Sequence, residues 1–322
     1  MKMKLTGAIA FGFLLLSGTA NSIYAADFVP TPECSISGIV EGGGGYQGGD
    51  VSGPAPALIN APMTGNFLGF GEAAIGYGCG NWMAQVDGAL YHGGFTNNNP
   101  FFGQFSAQYN EGHVGGAMYW REPSVGRFGL AVSEIFNHIH YDQAGKPGRD
   151  IGGTMTRVGA FGDFYASDAI TLGAGAFYVT GTPTDPTTTE TGFEGNIHAK
   201  FYATDNISIA LQGDILRSNF ESGGFIDTLN GIAGSAEAEY LVPDTALSLF
   251  VAGRVAKRNL DENTANSYTV NDTQGFLGVK WAFGGPVSSL RARDRAGFYD
   301  NTSVFDEKLP GFSYDLGNAQ TH

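Results

Sequence analysis

Cysteine is almost absent: Cys34 and Cys79 are the two in 322 residues. That excludes a disulfide-dense scaffold, although an oxidising compartment would permit one bridge. Basic residues are also scarce, 17 Lys and Arg against 31 Asp and Glu, for a formal charge of −14. Nucleic-acid binding leaves a basic footprint, so no nucleic-acid partner is expected. After the first twenty residues there is no long hydrophobic run. That excludes a protein built from spanning helices, each of which needs about 20 apolar residues. A Gly-x-Ser-x-Gly elbow, a His-Glu-x-x-His pair and a P-loop are all missing, and with them the common hydrolase, zinc-protease and nucleotidase signatures. "EGGGGYQGG" (41–49) lacks the Lys-Ser/Thr of a phosphate cradle and reads as a strand running into a loop. There is no Gly-X-Y period and no long Pro, Gln or Ser tract, so collagen-like and disordered chains are excluded as well.

What is present starts with Lys2 and Lys4, the apolar run "GAIAFGFLLLSGTA" (7–20) and then "NSIYAAD". A basic region, an apolar core and a small-residue cleavage site make a secretory signal peptide, with cleavage after Ala25 or Ala26. The organisation expected is a signal peptide over 1–25, a periplasmic segment over 26–34, one domain over 35–283 and a periplasmic tail over 284–322. Losing Lys2 and Lys4 leaves an even more acidic mature chain.

Glycine, at 50 residues, is about twice its usual ~7% share and disfavours helices. Instead, period-2 segments recur, near 35–46, 66–78, 81–92, 110–121, 126–138, 152–165, 168–181, 191–202, 206–217, 229–241, 245–258 and 272–283. Each is long enough to cross a bilayer as a tilted strand. Connections alternate between short (79–80, 122–126, 167–168, 203–205, 242–244) and long (47–65, 93–109, 139–151, 182–190, 218–228, 259–271). Short turns on one side and long loops on the other are the pattern of an outer-membrane barrel. The fold class is therefore all-β: a transmembrane antiparallel up-and-down β-barrel of 12 strands. "FFGQFSAQY" (101–109) reads as outer loop, and 14 strands is the alternative count.

The alternation assigns two faces. Trp82, Ala84, Val86, Gly88 and Leu90 point to lipid, with Gln85 and Asp87 inward. Leu247, Leu249, Val251, Gly253 and Val255 do the same opposite Ser248, Arg254 and Arg258. Glu134 misfits, standing on the lipid parity between Val132 and Phe136; a position near the interface or a bulge would each accommodate it. Aromatics near strand ends, among them Tyr46, Tyr77, Trp82, Trp120, Phe128, Phe164, Tyr178, Phe193, Phe201, Tyr240, Trp281 and Phe283, read as interface girdles.

At "DTQGFLGVKWAF" (272–283) the sequence resembles the closing strand of Gram-negative outer-membrane β-barrel proteins, which alternates apolar residues and ends on an aromatic, here Phe283. The resemblance implies outer-membrane location and a porin-like role. In that family the closing strand usually ends the chain and serves as the assembly signal; here some forty residues follow it. The tail has no sustained period. Arg291, Arg293 and Arg295 meet Asp294, and the segment is either disordered or partly folded into the barrel mouth.

The expected lumen wall carries Glu41, Glu72, Asp87, Asp163, Glu194, Asp214, Glu237 and Glu239 against Arg121, Arg127, Arg157, Lys200, Arg254 and Lys280, with His198 among them. Two readings follow, a hydrated pore or a lumen knitted shut by ion pairs; twelve strands lie between filled and open barrels. The outer loops are acid-rich (Asp142, Asp150, Asp185, Glu190, Glu221, Asp227, Asp261 and Glu262 against Lys146 and Arg149), as suits a cation-attracting mouth. Cys34 and Cys79 fall at one rim on neighbouring strands, where a disulfide is possible if their Cα atoms lie within about 7 Å. His138 and His140, with Ser133 and Asn137 nearby, raise a weaker option of lipid hydrolysis or metal binding. The leading expectation is a passive channel for small solutes, with no catalytic residue, cofactor or metal. A closed structural or adhesive barrel is the second reading and a lipid-modifying enzyme the third. Outer-membrane lipids, lipopolysaccharide and small solutes are the expected partners, and no oligomeric state is assigned.

Overall fold

A computed structural model describes residues 34–52, 62–65, 67–99, 103–143, 148–182, 188–222, 225–261, 267–285 and 288–299. The expected signal peptide and residues 26–33, the tail beyond 299, and Asp185, Glu262 and Lys146 lie outside the described residues.

The strands are β1 (Cys34–Ser52), β2 (Pro62–Gly65), β3 (Phe67–Cys79), β4 (Trp82–Asn99), β5 (Gly103–Glu122), β6 (Gly126–Gln143), β7 (Arg149–Ser167), β8 (Ile170–Thr182), β9 (Thr188–Thr204), β10 (Ile207–Ser222), β11 (Phe225–Leu241), β12 (Leu247–Asp261) and β13 (Ser267–Phe283), followed by one helix, α1 (Leu290–Ala296). Neighbours in sequence pair antiparallel, and β13 pairs back onto β1 from Gly38↔Phe283 to Ser52↔Thr269. The barrel is closed and has twelve spanning strands. β2 adds no wall of its own. It continues the track of β3, pairing with β1 at Gly49↔Met63 and with β4 at Thr64↔Thr96.

Strand parity sorts the side chains as oil outside and polar groups inside. Ile197 and Leu277 are each 69% exposed, whereas Gln85 is 4% and Glu194 2% exposed. On most strands five successive outward positions are apolar or glycine: on β9, for example, Phe201, Ala199, Ile197, Gly195 and Phe193. Nine residues of tilted strand match the height of a bilayer's hydrocarbon core. Aromatic pairs sit at the belt's edges, Trp120 with Phe128 and Trp281 with Phe283 at the short-turn end, and Tyr178 with Phe193 at the other.

Several expected loops are strand instead. Residues 103–109 belong to β5 and pair with 93–99 of β4, so the segment read as loop lengthens one hairpin and adds no strand. Likewise β10 and β11 run to Ser222↔Phe225. The apolar alternation that marks a strand stops at the top of the belt. The backbone ladder continues above it with polar outward residues such as Asn110, Thr180, Thr191 and Asn219, which carry no hydropathy signal. Glu134 remains outward, since no register shift interrupts β6. It is the fourth outward position from the short turns, and Thr156 Oγ1 donates to its carboxylate at 2.7 Å.

Two contacts fasten the seam. Cys34 lies opposite Cys79, and a disulfide joins them across β1 and β3 with Cα atoms 4.1 Å apart. Phe283 lays its ring over Gly38 on β1, so a Cβ on Gly38 would fall 1.9 Å from that ring. Gly38→Val should therefore block closure, seen as loss of the compact, heat-modifiable band in gel electrophoresis, and Gly38→Val/Phe283→Ala should restore it. Ile197→Arg, at mid-belt, should cost about 2–4 kcal/mol of stability in lipid, against about 0–1 kcal/mol for Thr273→Arg at the belt's edge, as read by denaturant unfolding from vesicles.

Candidate functional site

The chain does not stop at the closing strand but turns into the barrel. Gly284 takes φ 72°, and a Cβ there would lie 2.2 Å from the Ile36 carbonyl oxygen, so only glycine makes this turn without strain. Ser289 then caps α1, its hydroxyl accepting from the Ala292 amide at 3.1 Å. Such a cap stabilises a helix by about 1 kcal/mol, and Arg293 and Arg295 in the last turn suit the helix's negative end.

The walls hold this segment from nearly all sides. At its start, the Leu290 amide donates to the Asp205 carbonyl at 2.8 Å, and the Leu290 side chain is buried with Tyr202 and Leu241. Arg293 donates to Ser248 Oγ at 3.0 Å and also reaches Glu239. Lys200 Nζ is 3.0 Å from the Asp294 carboxylate, to which Tyr202 also donates. Arg295 bonds the Ser167 carbonyl and lies 4.7 Å over the Tyr165 ring. The carbonyls at the helix end meet a basic collar: Arg121 donates to Ala296, Tyr119 to Gly297 at 3.2 Å and Arg127 to Phe298 at 2.6 Å. At the tip, the Gln85 amide imitates a strand. It donates to the Tyr299 carbonyl at 2.7 Å and accepts from the Tyr299 amide at 3.0 Å, while the Tyr299 ring stacks on Phe161 at 3.4 Å between centroids.

A cavity of about 310 Å³ runs above this plug and down beside it, from Glu72 and Asp87 past Asp294, Gly297, Phe298 and Tyr299 to Ser37, Ala282 and Gly285 near the short turns. All fifteen residues assigned to the lumen from the sequence stand on the inward face. The structure joins most of them in pairs: Arg127 with Asp163 at 2.6 Å, His198 with Asp163 at 2.9 Å, Arg157 with Glu194 at 3.1 Å, and Lys280 with Glu237 at 2.8 Å and Glu41 at 3.3 Å. Gln85 donates to Asp87, which His113 also contacts, and Tyr91 bonds Glu72. Asp214 accepts from Gln212 at 2.8 Å, and Arg254 lies beside Gln274. Toward the long-connection end Ile135, Met155, Val179, Leu216, Phe220 and Leu229 form one buried apolar cluster, while Glu111, Glu190 and Arg258 are also buried on the inward face there.

Some sequence assignments change place. Glu190 is not a mouth acid; it lies on the inward face of β9, 4% exposed. Ser133 and Asn137 point inward, whereas His138 and His140 point outward and meet Asp150 at 3.4 and 2.8 Å. That opposition of faces keeps a Ser/His/Asn set from assembling. Among the described residues no group of three or more His, Cys, Asp or Glu is placed to hold a metal ion. The plug contacts of Gln85, Tyr119, Tyr202 and Ser248 had no signal in the sequence beyond inward parity. "SLRARDRAG" did carry one, a capping serine followed by a short charged helix.

Neither a protein-family model nor a curated protein matches the sequence. Among solved structures, an outer membrane channel from Pseudomonas putida F1 aligns over 81% of this chain and 100% of its own, with 8% identity and a TM-score of 0.54. The translocator domain of the autotransporter NalP from Neisseria meningitidis covers 78% of this chain and 88% of its own, at 10% identity and a TM-score of 0.45. The toluene transporter TodX from Pseudomonas putida covers 78% and 90%, at 8% identity and 0.42. The first shows the fold, that of Gram-negative outer-membrane β-barrels; the other two carry no weight at those scores.

Asp294 titrates in a mixed environment. Burial raises its carboxyl, but the Lys200 charge and the hydrogen bonds from Tyr202 and Lys200 outweigh that and hold it below its ordinary 3.8. Ionised Asp294 and the docked plug therefore favour each other above that value, and the linkage is lost as the pH falls through and below it. A spin label at Ser288→Cys should be immobile at pH 7 and gain mobility progressively as the pH is lowered below 3.8; with Asp294→Asn added, it should already be mobile at pH 7.

Proposed function

We propose that this chain is an outer-membrane channel for small solutes, held shut at its short-turn mouth by its own C-terminal segment. The observation that carries the reading is the kind of closure. A cavity that carries many charged groups runs above and beside a plug fixed mainly by ion pairs and hydrogen bonds, which water can replace when the plug leaves. In this reading the signal peptide over 1–25 exports the chain, the apolar belt seats it in the outer membrane, and the short turns and the tail face the periplasm. The fold shared with the Pseudomonas putida outer membrane channel agrees with this.

The solutes should be cationic or neutral. Seven carboxylates line the cavity, Glu41, Glu72, Asp87, Asp163, Glu237, Glu239 and Asp294, against five basic groups, Arg127, Lys200, Arg254, Lys280 and Arg293. Removing Arg293 and Asp294 with the plug leaves the same excess of two negative charges, and a lumen of one sign enriches its counter-ions.

A second reading, a permanently closed structural or adhesive barrel, is favoured by one observation. The apolar cluster around Leu216 and Phe220 fills part of the lumen that the plug does not reach. Planar-bilayer recording separates the two. As a channel, the full-length protein should give small, infrequent steps, and Arg293→Ala/Tyr299→Ala should raise open probability at least tenfold. In a salt gradient its reversal potential should favour cations. No steps from either protein would reject the channel in favour of the closed barrel.

A further inference from the structure

The basic groups of α1 are all guanidiniums, Arg291, Arg293 and Arg295. Arg293 meets the wall where the wall is short of positive charge. Lys280 Nζ lies 2.8 Å from Glu237 and 3.3 Å from Glu41, and Lys200 Nζ lies 3.6 Å from Glu239. Three wall carboxylates share two wall ammoniums there, so one carboxylate is in excess. The plug brings one charge of each sign: Arg293 goes to Glu239, and Asp294 takes the other side of Lys200 at 3.0 Å. When the plug leaves, both go. The excess stays on the wall, and Glu239 is left without a guanidinium.

The place Arg293 takes suits a planar fork. Glu239 on β11 is 2% exposed and Ser248 on β12 is 0% exposed. Ser248 Oγ donates to a Glu239 carboxylate oxygen at 2.5 Å, which leaves the hydroxyl's lone pairs free to accept. Two terminal nitrogens of Arg293 use the two acceptors, Nη1 donating to Ser248 Oγ at 3.0 Å and Nη2 to the same Glu239 oxygen. A guanidinium holds such donors at a fixed separation, whereas an ammonium is a compact and strongly hydrated point charge. Burial enlarges the difference, because a desolvated carboxylate gains more from a well-placed charged donor. Arg295 shows the contrast. Its carboxylate partner, Asp168 at 3.7 Å, has a side chain 63% exposed, and a pair so open to water contributes little. Glu239 and Arg293 both line the cavity, so the site opens toward a solute.

We infer that Glu239 and Ser248 form a binding site for a small guanidinium-bearing cation, and that Arg293 occupies this site in the closed state. The inference rests on the proposed reading of the C-terminal segment as a plug that leaves, and it names the class of solute the vacated lumen would hold. The test uses the full chain in neutral detergent, with ethylguanidinium and butylammonium, monocations of similar size, as probes. Arg293→Ala empties the site without requiring the plug to depart. Calorimetric titration of this variant should show ethylguanidinium bound at least tenfold more tightly than butylammonium. The wild type should bind ethylguanidinium at least tenfold more weakly than Arg293→Ala does, because its own guanidinium is in place. Adding Glu239→Gln to Arg293→Ala should weaken binding at least tenfold. Adding Ser248→Ala instead, which removes no charge, should narrow the preference over butylammonium. Absence of binding to Arg293→Ala, or undiminished binding after Glu239→Gln, would overturn the site. Equal affinity for the two cations would overturn the guanidinium as its occupant, and equal binding by the wild type would overturn Arg293 as its resident. None of these readouts measures current. Binding without conductance steps would reject the channel and leave the site, and conductance steps without binding would do the reverse.

Discussion

The antiparallel ladder joining β1 to β13 is the constraint on which the rest depends. A sheet with a belt of exposed Ile, Leu, Val and aromatic residues has nowhere to hide an open edge, because hydrocarbon offers no partner for a bare N–H or C=O. Closure satisfies those groups at once, and it needs the first and last strands to meet closely. That explains the glycines of β1. Gly43 and Gly45 lie opposite Gly278 and Phe276, and a Cβ on either would fall within 2.3 Å of a β13 carbonyl oxygen. At the short-turn end the same closeness lets Phe283 cover Gly38 while the Cys34–Cys79 bridge ties β1 to its other neighbour.

Once the wall closes, its inward charges share a confined space. Ionised groups removed from water are costly unless paired and hydrogen-bonded, and the wall pairs most of its own. Glu239 is the instructive exception, because its partners come from two sources: Lys200 of the wall at 3.6 Å and Arg293 of the plug. Lys200 in turn divides itself between Glu239 and Asp294. Wall and plug thus complete one network, and the plug's departure leaves charges that water must solvate. A polar closure of this kind can reopen; a greasy one would have to expose apolar surface to do so.

The barrel was legible in the sequence because its two solvents impose a period of two on nearly every strand, and the belt residues and their inward neighbours could be told apart by parity alone. The parts missed lie where that pressure stops. Above the belt both faces of a strand meet water or one another, so Glu190 carried no sign of facing the lumen; residues 101–109 did alternate like a strand, but as an extra crossing they would have broken the order of short and long connections, and residues 103–109 lengthen an existing hairpin instead. The plug was harder still. It is one short helix stabilised by partners from seven different strands, and nothing local in Gln85, Tyr119 or Ser248 marks them as those partners. Only the cap at Ser289 and the alternating charges of 291–295 hinted at order in the tail.

The position of the closing strand within the chain now has a physical consequence. The plug's partners are spread over β4, β5, β6, β7, β9, β11 and β12, so its binding surface does not exist until the wall has closed. It holds none of those strands in place, and the wall's ladder is complete without it. The plug is therefore the last element to form and the one that can leave at least cost to the rest. It cannot go far, since residues 284–289 extend to no more than about 20 Å. A tether that short keeps its local concentration in the millimolar range. Individually weak polar contacts then suffice to keep the mouth shut, and loosening a few of them is enough to open it.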